Sequence, residues 1–159
     1  MFLHQQGHLN DAEAIYKKVL RAHARNFDAL HMLGIINAQR GAFQEAEKFL
    51  RKALSVDSKV APCVHNYGTV LAKLNRFEDA IDSYNNAIKL APNHAPIYSD
   101  RGNALFELKR YDDALAAYDR ALALKPDFSD AWVGRGNIFN NLKRHDEAIA
   151  AYDLSLIHI

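Results

Sequence analysis

The 159-residue chain is 49% hydrophobic and 25% charged, a composition typical of globular proteins that excludes a disordered tail. Its 20 Lys and Arg residues nearly balance 19 Asp and Glu residues, and a formal net charge of +1 argues against nucleic acid as the partner. A single cysteine cannot form an intrachain disulfide, and the sequence has neither a signal peptide nor a long apolar run, so we expect a cytoplasmic protein without a membrane span.

Helical periodicity runs along the whole chain. Apolar residues return every three or four positions, which predicts antiparallel helix pairs and no strand. In chain order, a partial first helix precedes a complete second helix over 9–20. In a later repeat, the spacing predicts one helix over 62–74 and its partner over 77–90. The chain is therefore expected to be all-α.

The turn inside each helix pair is expected to contain a left-handed residue. Such a residue ends a helix, and glycine or asparagine adopts the conformation at little cost. Equivalent turn positions are held by Gly7, Gly41, Asn75, Lys109 and Lys143. The two lysines are expected to carry a local energetic cost.

A fixed interval of 34 residues links equivalent positions along the chain, which is the signature of a helical repeat. It connects Gly34, Gly68, Gly102 and Gly136; Ala12, Ala46, Ala80, Ala114 and Ala148; and Tyr16, Leu50, Tyr84, Tyr118 and Tyr152. The glycines and alanines are expected where two helices pass closely. The tyrosines, with Tyr98 and Trp132 on the first helices, are expected to pack between consecutive repeats.

These residues resemble the tetratricopeptide repeat (TPR) family, in a bacterial-type form. The family pattern places Gly at position eight, Ala at twenty, Tyr at twenty-four, Ala at twenty-seven and Pro at thirty-two. The resemblance implies a single domain over 1–159, an α-solenoid of stacked antiparallel helix pairs in a right-handed superhelix. Its repeats are 27–60, 61–94 and 95–128, with partial repeats at 1–26 and 129–153. Departures include Arg101 and Arg135, where the family has leucine.

Both ends depart from the repeat. Met1 falls at the ninth position of a repeat, so we expect a fragment of a longer solenoid. Residues 154–159 read LSLIHI, which CTG TCT CTT ATA CAC ATC also encodes. That sequence is a transposase end common in sequencing-library adapters, and we expect the tail to be non-native. An array without a polar capping helix is expected to self-associate through its uncapped ends.

The resemblance also implies where a partner binds. In the family the first helices line a concave groove, so we expect an interaction scaffold that binds a protein or peptide segment. The implied groove residues are His31, Met32, Ile35, Gln39, His65, Asn66, Thr69, Lys73, Ser99, Asp100, Asn103, Phe106, Glu107, Asn137, Asn140 and Asn141. Asparagine both donates and accepts hydrogen bonds, which suits a peptide backbone. Alanine at Asn103 and Asn137 is expected to weaken binding and to leave thermal stability unchanged.

Other functional classes match the sequence less well than an interaction scaffold does. The TPR arm of O-linked N-acetylglucosamine transferases is similar, although only Asn66 matches its asparagine ladder. The alternative is therefore a substrate-selecting arm of a larger glycosyltransferase. A carboxylate clamp is disfavoured, because Ile35, Asp100, Asp130 and Gly134 stand at the positions it needs. The net charge disfavours a reader of single-stranded RNA.

No enzyme activity, cofactor or metal is expected of this chain. His31 and His65 share a repeat position, but two imidazoles without a third ligand rarely hold zinc. Asp112 and Asp113 begin a helix, where the helix dipole favours acid without any catalytic role. Cys63 has no basic partner in the repeat pattern, and such a thiol is usually inert.

Overall fold

The computed structural model of the protein describes residues 9–157, and this range contains nine α-helices and no strand. The helices are α1 (Leu9–Ala22), α2 (Phe27–Gln39), α3 (Phe43–Val56), α4 (Ala61–Lys73), α5 (Phe77–Leu90), α6 (Ala95–Glu107), α7 (Tyr111–Leu124), α8 (Ser129–Asn141) and α9 (His145–Ile157). The all-α helical-repeat prediction is confirmed. The helices predicted over 62–74 and 77–90 are α4 and α5, and α1 continues to Ala22, beyond its predicted end.

The turns inside the helix pairs contain the predicted left-handed residues. The φ angle is 75° at Gly41, 59° at Asn75 and Lys109, and 58° at Lys143. In all four of these turns the next residue donates its N–H to a carbonyl of the preceding helix, as Arg76 does to Leu71 at 3.0 Å. Gly7 lies outside the described residues. The prediction is confirmed at the other four turns, including the two held by lysine.

Helix starts and ends follow local chemistry. Acidic side chains occupy the first turn of the second helix in every pair, for example Glu45 in α3, and they interact favourably with the positive end of the helix dipole. Asn26 caps α2, since its Oδ1 accepts from the Ala29 N–H at 2.9 Å. Pro92 follows α5 and Pro126 follows α7, where proline prevents the helix from continuing.

The chain divides into two compact units, Met1–Arg76 and Phe77–Ile159. In the first unit, α2 packs against α1, α3 and α4, and α3 also packs against α4. The buried side chains there include Leu30, Ala46, Leu50 and Cys63. In the second unit, α6 packs against α5, α7 and α8, and α8 packs against α7 and α9. Each hairpin thus covers the apolar face of its neighbour in the same unit.

Small residues lie where the helices of a pair approach closely, as predicted. A Cβ atom at Gly34 would lie 2.6 Å from Leu50 Cγ, and one at Gly102 would lie 2.6 Å from Tyr118 Cε1. Cβ atoms essentially never make contacts this short, so any larger residue would force the facing side chain to shift. Ala46 and Ala114, on the facing helices, are completely buried.

Tyr118 packs between consecutive repeats, which confirms its predicted position. Its ring lies against Gly102 of its own repeat and Gly134 of the next, where an added Cβ would be 2.3 Å from Tyr118 Cζ. Tyr98 and Trp132 are also anchored to the loops between repeats. The Tyr98 hydroxyl donates to the Pro92 carbonyl at 2.9 Å, and Trp132 Nε1 donates to the Pro126 carbonyl at 3.0 Å.

Arg135, which departs from the family leucine, is accommodated by its aromatic neighbours. Its guanidinium carbon lies 5.0 Å from the centroid of Trp132 and 5.7 Å from that of Phe139, close enough for a cation–π interaction. It also forms an ion pair with Asp119 at 3.4 Å. The departure therefore changes the local packing while the helix pair is retained.

Candidate functional site

A cavity in the first unit lies among residues that the sequence assigned to a binding surface. It has a volume of about 340 Å³ and is lined by α2, α3 and α4. The predicted groove residues Ile35, Asn66, Thr69 and Lys73 all line it, as does Gln39. Ile35, Asn66 and Thr69 are half-buried, and Gln39 and Lys73 are exposed. We call this cavity and its polar edge the first-unit pocket.

The walls of the first-unit pocket are apolar, and most of their residues lie outside the predicted groove. They are formed by Ala38, Phe43, Leu50 and Val70 in addition to Ile35. Two of the four stand out in the 34-residue register. Ala38 holds the repeat position of Phe106 and Asn140, which were assigned to the groove, and Leu50 holds a position that is tyrosine in the other repeats. Phe43 and Val70 belong to core positions, and no sequence signal separates a core residue that borders a cavity from one that does not.

The pocket exists where the first unit departs from the packing of the second. In the second unit, the Tyr118 ring fills the space beside Gly134, and its hydroxyl donates to Asn103 Oδ1 at 2.7 Å. The register places Leu50, Asn66 and Ile35 at the equivalent positions, and all three line the pocket. Since leucine lacks the tyrosine ring and hydroxyl, the corresponding space is left unfilled.

A hydrogen bond between two first helices fixes one side of the pocket. Asn66 Nδ2 lies 3.0 Å from His31 Nε2. An amide NH₂ group only donates, so the His31 ring must accept through Nε2. Burial lowers the pKa of His31, which favours the neutral ring that this bond requires. Phe27 lies against the imidazole with ring centroids 5.6 Å apart. The bond leaves Asn66 Oδ1 as the acceptor of that side chain.

In the second unit, two of the predicted groove asparagines bind tyrosines of their own repeat. Asn103 Oδ1 accepts from the Tyr118 hydroxyl, and Asn137 Oδ1 accepts from the Tyr152 hydroxyl at 2.8 Å. Both asparagines are exposed, and Tyr118 is 1% exposed. Each asparagine therefore offers mainly its NH₂ group to a partner, because its carbonyl oxygen is already engaged.

The other predicted groove residues differ in accessibility. Ser99 is only 2% exposed, and we leave it out of the binding surface because a buried hydroxyl is not reached from solvent. The half-buried members are His31, Met32, His65, Asp100 and Phe106, and the exposed members are Glu107, Asn140 and Asn141. Asn141 Nδ2 donates to the Asn137 carbonyl at 2.8 Å, so its amide is partly used by its own helix.

Cys63 and Asp113, two residues considered for catalysis, lie in environments that favour a structural role. Burial raises the pKa of the Cys63 thiol to about 12, which keeps it in the unreactive protonated form at neutral pH. Asp113 pairs with Arg110 at 2.6 Å on the surface. Within residues 9–157 no group of three His, Cys, Asp or Glu side chains is arranged to hold a metal ion.

Stacked helix pairs with glycine at their close contacts and tyrosine between repeats define a helical-repeat protein. Models of the tetratricopeptide repeat match residues 3–60, 66–127 and 99–157. The chain belongs to the tetratricopeptide repeat family. No curated protein sequence matches it. Within residues 9–157, no helix is both long enough and apolar enough to span a membrane.

Several solved structures share this fold. MamA is 26% identical, with a TM-score of 0.89 over 98% of this chain and 91% of its own. YrrB, described as a TPR protein with an unusual peptide-binding site, is 22% identical, with a TM-score of 0.83 over 99% of this chain and 81% of its own. PilF of Pseudomonas aeruginosa is 22% identical, with a TM-score of 0.87 over 99% and 72%.

Proposed function

We propose that the chain is an interaction scaffold that binds a peptide or protein segment on its first helices, with the first-unit pocket as the anchor. TPR proteins typically serve as protein-interaction scaffolds, and among the solved relatives YrrB is described as having a peptide-binding site. The choice of this surface rests on one observation. An apolar cavity of about 340 Å³ opens among the polar side chains that the family resemblance assigns to the groove.

The size and chemistry of the pocket suit an anchor side chain. Ligand sites commonly measure about 300–1,000 Å³, are mostly apolar and carry a few polar groups that orient the ligand. The first-unit pocket lies at the small end of that range, so it accepts part of a partner and not a large cofactor. Polar groups at its edge, from Asn66 and Gln39, are available to hold the backbone of the same segment.

A peptide-display selection on the purified chain, followed by anisotropy measurements with the selected peptides, tests this function. Ala38→Leu extends a side chain into the pocket and should weaken binding by about tenfold, which corresponds to roughly 1.4 kcal/mol. Ala14→Leu is the matched control, since Ala14 is exposed on α1 and does not line the pocket. Equal affinities for both variants, at unchanged melting temperatures, would contradict the proposal.

We propose no catalytic role for this chain, and we place it in the cytoplasm, in line with its single buried thiol and its lack of paired cysteines. We also propose that the chain forms a single domain of 34-residue repeats, with the repeat boundaries predicted from the sequence. The alternative, an arm of a larger glycosyltransferase, gains no further support, because the one matching asparagine, Asn66, is bound to His31.

We further propose that the chain self-associates through α9. Ile149 is 58% exposed, Leu156 is 67% exposed and Ile157 is 73% exposed. Leu156 and Ile157 belong to the C-terminal segment expected to be non-native, so we propose this contact as a property of the exposed apolar cluster and not of the partner-binding surface. A net charge of +1 provides little long-range repulsion between copies.

A further inference from the structure

The first-unit pocket has one charged side chain at its edge, and the described part of the chain places no acidic partner in an ion pair with it. Of the residues lining the cavity, only Lys73 is charged, and within residues 9–76 Lys73 forms no ion pair. Two acidic side chains of this unit, Glu13 and Glu47, pair with other basic residues. Glu13 pairs with Lys17 and Arg40, and Glu47 lies 3.7 Å from Arg76. The pocket therefore combines an apolar interior with a positive charge that has no ion-pair partner among residues 9–157.

Lys73 also interacts favourably with its own helix, and this interaction has to be distinguished from partner binding. Lys73 is in the last turn of α4, where a cation interacts favourably with the negative end of the helix dipole. That interaction affects stability in the absence of any partner. A contribution to recognition, in contrast, depends on the charge of the bound segment.

The uncharged side chains at the edge favour a peptide over a lipid. Asn66 keeps Oδ1 as an acceptor after donating to His31, and an acceptor at this place suits the N–H of a peptide backbone. A fatty acid also combines an aliphatic chain with a carboxylate, but it has no N–H to donate. The pocket volume, about 340 Å³, suits an aliphatic side chain without requiring a long acyl chain.

We propose that the first-unit pocket recognises a peptide segment in which a large aliphatic side chain stands beside an acidic residue. The aliphatic side chain enters the cavity between Ile35, Phe43 and Leu50, and the carboxylate pairs with Lys73 Nζ. Asn66 Oδ1 accepts a backbone N–H of the same segment. This inference rests on the proposed function, since it specifies the partner of the same surface.

Peptide-display selections carried out in parallel on the wild-type chain, Lys73→Gln and Lys73→Glu test the proposal. The wild type should select an aliphatic residue with Asp or Glu within two positions. Lys73→Gln should keep the aliphatic preference, lose the acidic one and bind the wild-type peptides about two- to fivefold more weakly, as expected for an exposed ion pair. Lys73→Glu should select Lys or Arg in place of the acid. Melting temperatures report the effect on the helix dipole separately.

The possible outcomes separate this inference from the function on which it rests. If peptides are selected but their charge preference is the same on all three proteins, peptide binding stands and the assignment of Lys73 is overturned. If no peptide is enriched over uncoated beads, both proposals fail. Sodium octanoate is the probe for a lipid. Displacement of the selected peptides by octanoate at equal concentration would overturn the choice of a peptide partner.

Discussion

Asn103 shows how one residue can contribute to both a surface and a core. As a groove residue alone, Asn103 would be replaceable by alanine without a change in stability. The structure pairs Asn103 Oδ1 with the hydroxyl of Tyr118, whose side chain is 1% exposed. A buried hydroxyl that loses its partner carries an unfavourable desolvation cost. Asn103 therefore has a structural role that the repeat pattern did not reveal.

A double-mutant cycle can measure how much the Asn103–Tyr118 hydrogen bond contributes to stability. Asn103→Ala should lower the free energy of unfolding by about 1–3 kcal/mol, because the Tyr118 hydroxyl stays buried without its acceptor. In a chain that already carries Tyr118→Phe, no hydroxyl is left without an acceptor, so Asn103→Ala should cost much less. The difference between the two backgrounds is a coupling energy of about 1 kcal/mol. Urea unfolding of the four proteins measures these values.

The equivalent pair in the next repeat provides the control. Asn137 and Tyr152 form the same hydrogen bond, but Tyr152 is only half-buried, so water can replace the lost partner. Asn137→Ala should therefore cost less than Asn103→Ala. Equal losses from the two alanine variants would show that burial of the tyrosine is not the cause.

At the scale of the helix pair, the turn between the two helices requires a positive φ angle, which lysine does not favour. Lys109 and Lys143 adopt φ near 59°, a conformation that costs a side-chain-bearing residue about 1–2 kcal/mol. The turns form because the two helices of each pair bury alanines and glycines against each other. Packing of the pair thus outweighs the local preference of lysine.

Replacing Lys109 with glycine should stabilise the second unit by about 0.5–1 kcal/mol, since glycine adopts positive φ without strain but loses more chain entropy on folding. Thermal or urea unfolding measures the change. Lys125→Gly is the matched control, because Lys125 also follows a helix and is exposed, but its φ is −143°. That variant should lose stability. A gain at both positions would refute the role of backbone conformation.

At the scale of the whole molecule, the apolar side chains of α9 predict concentration-dependent association. Sedimentation velocity should show larger species at higher protein concentration, because association removes Leu156 and Ile157 from water. The variant with glutamate at both positions should remain monomeric. Ala116→Glu, at an exposed position of α7, should behave like the wild type. A sedimentation coefficient independent of concentration in the wild type would count against self-association.

The helix pairs and their register were predictable because they depend on local spacing that recurs every 34 residues. Gly102 and Ala114 could be assigned to close contacts from their recurrence alone, and the structure agrees. The binding surface was predictable only in part. The family resemblance identified Asn66 and Lys73, but it also included Ser99, which is buried, and it gave no sign of the cavity.

By itself, the sequence determined the all-α class, the family and the positions of the turns, since each follows from side chains close together in the chain. Only the tertiary structure decided where space remains and which polar groups are already used. Leu50 and Tyr118 hold the same position in different repeats, yet Leu50 borders a cavity and the ring of Tyr118 fills the equivalent space. The smaller leucine leaves space that the tyrosine ring would fill, but whether neighbours fill that space depends on side chains from two other helices, which no single stretch of sequence contains.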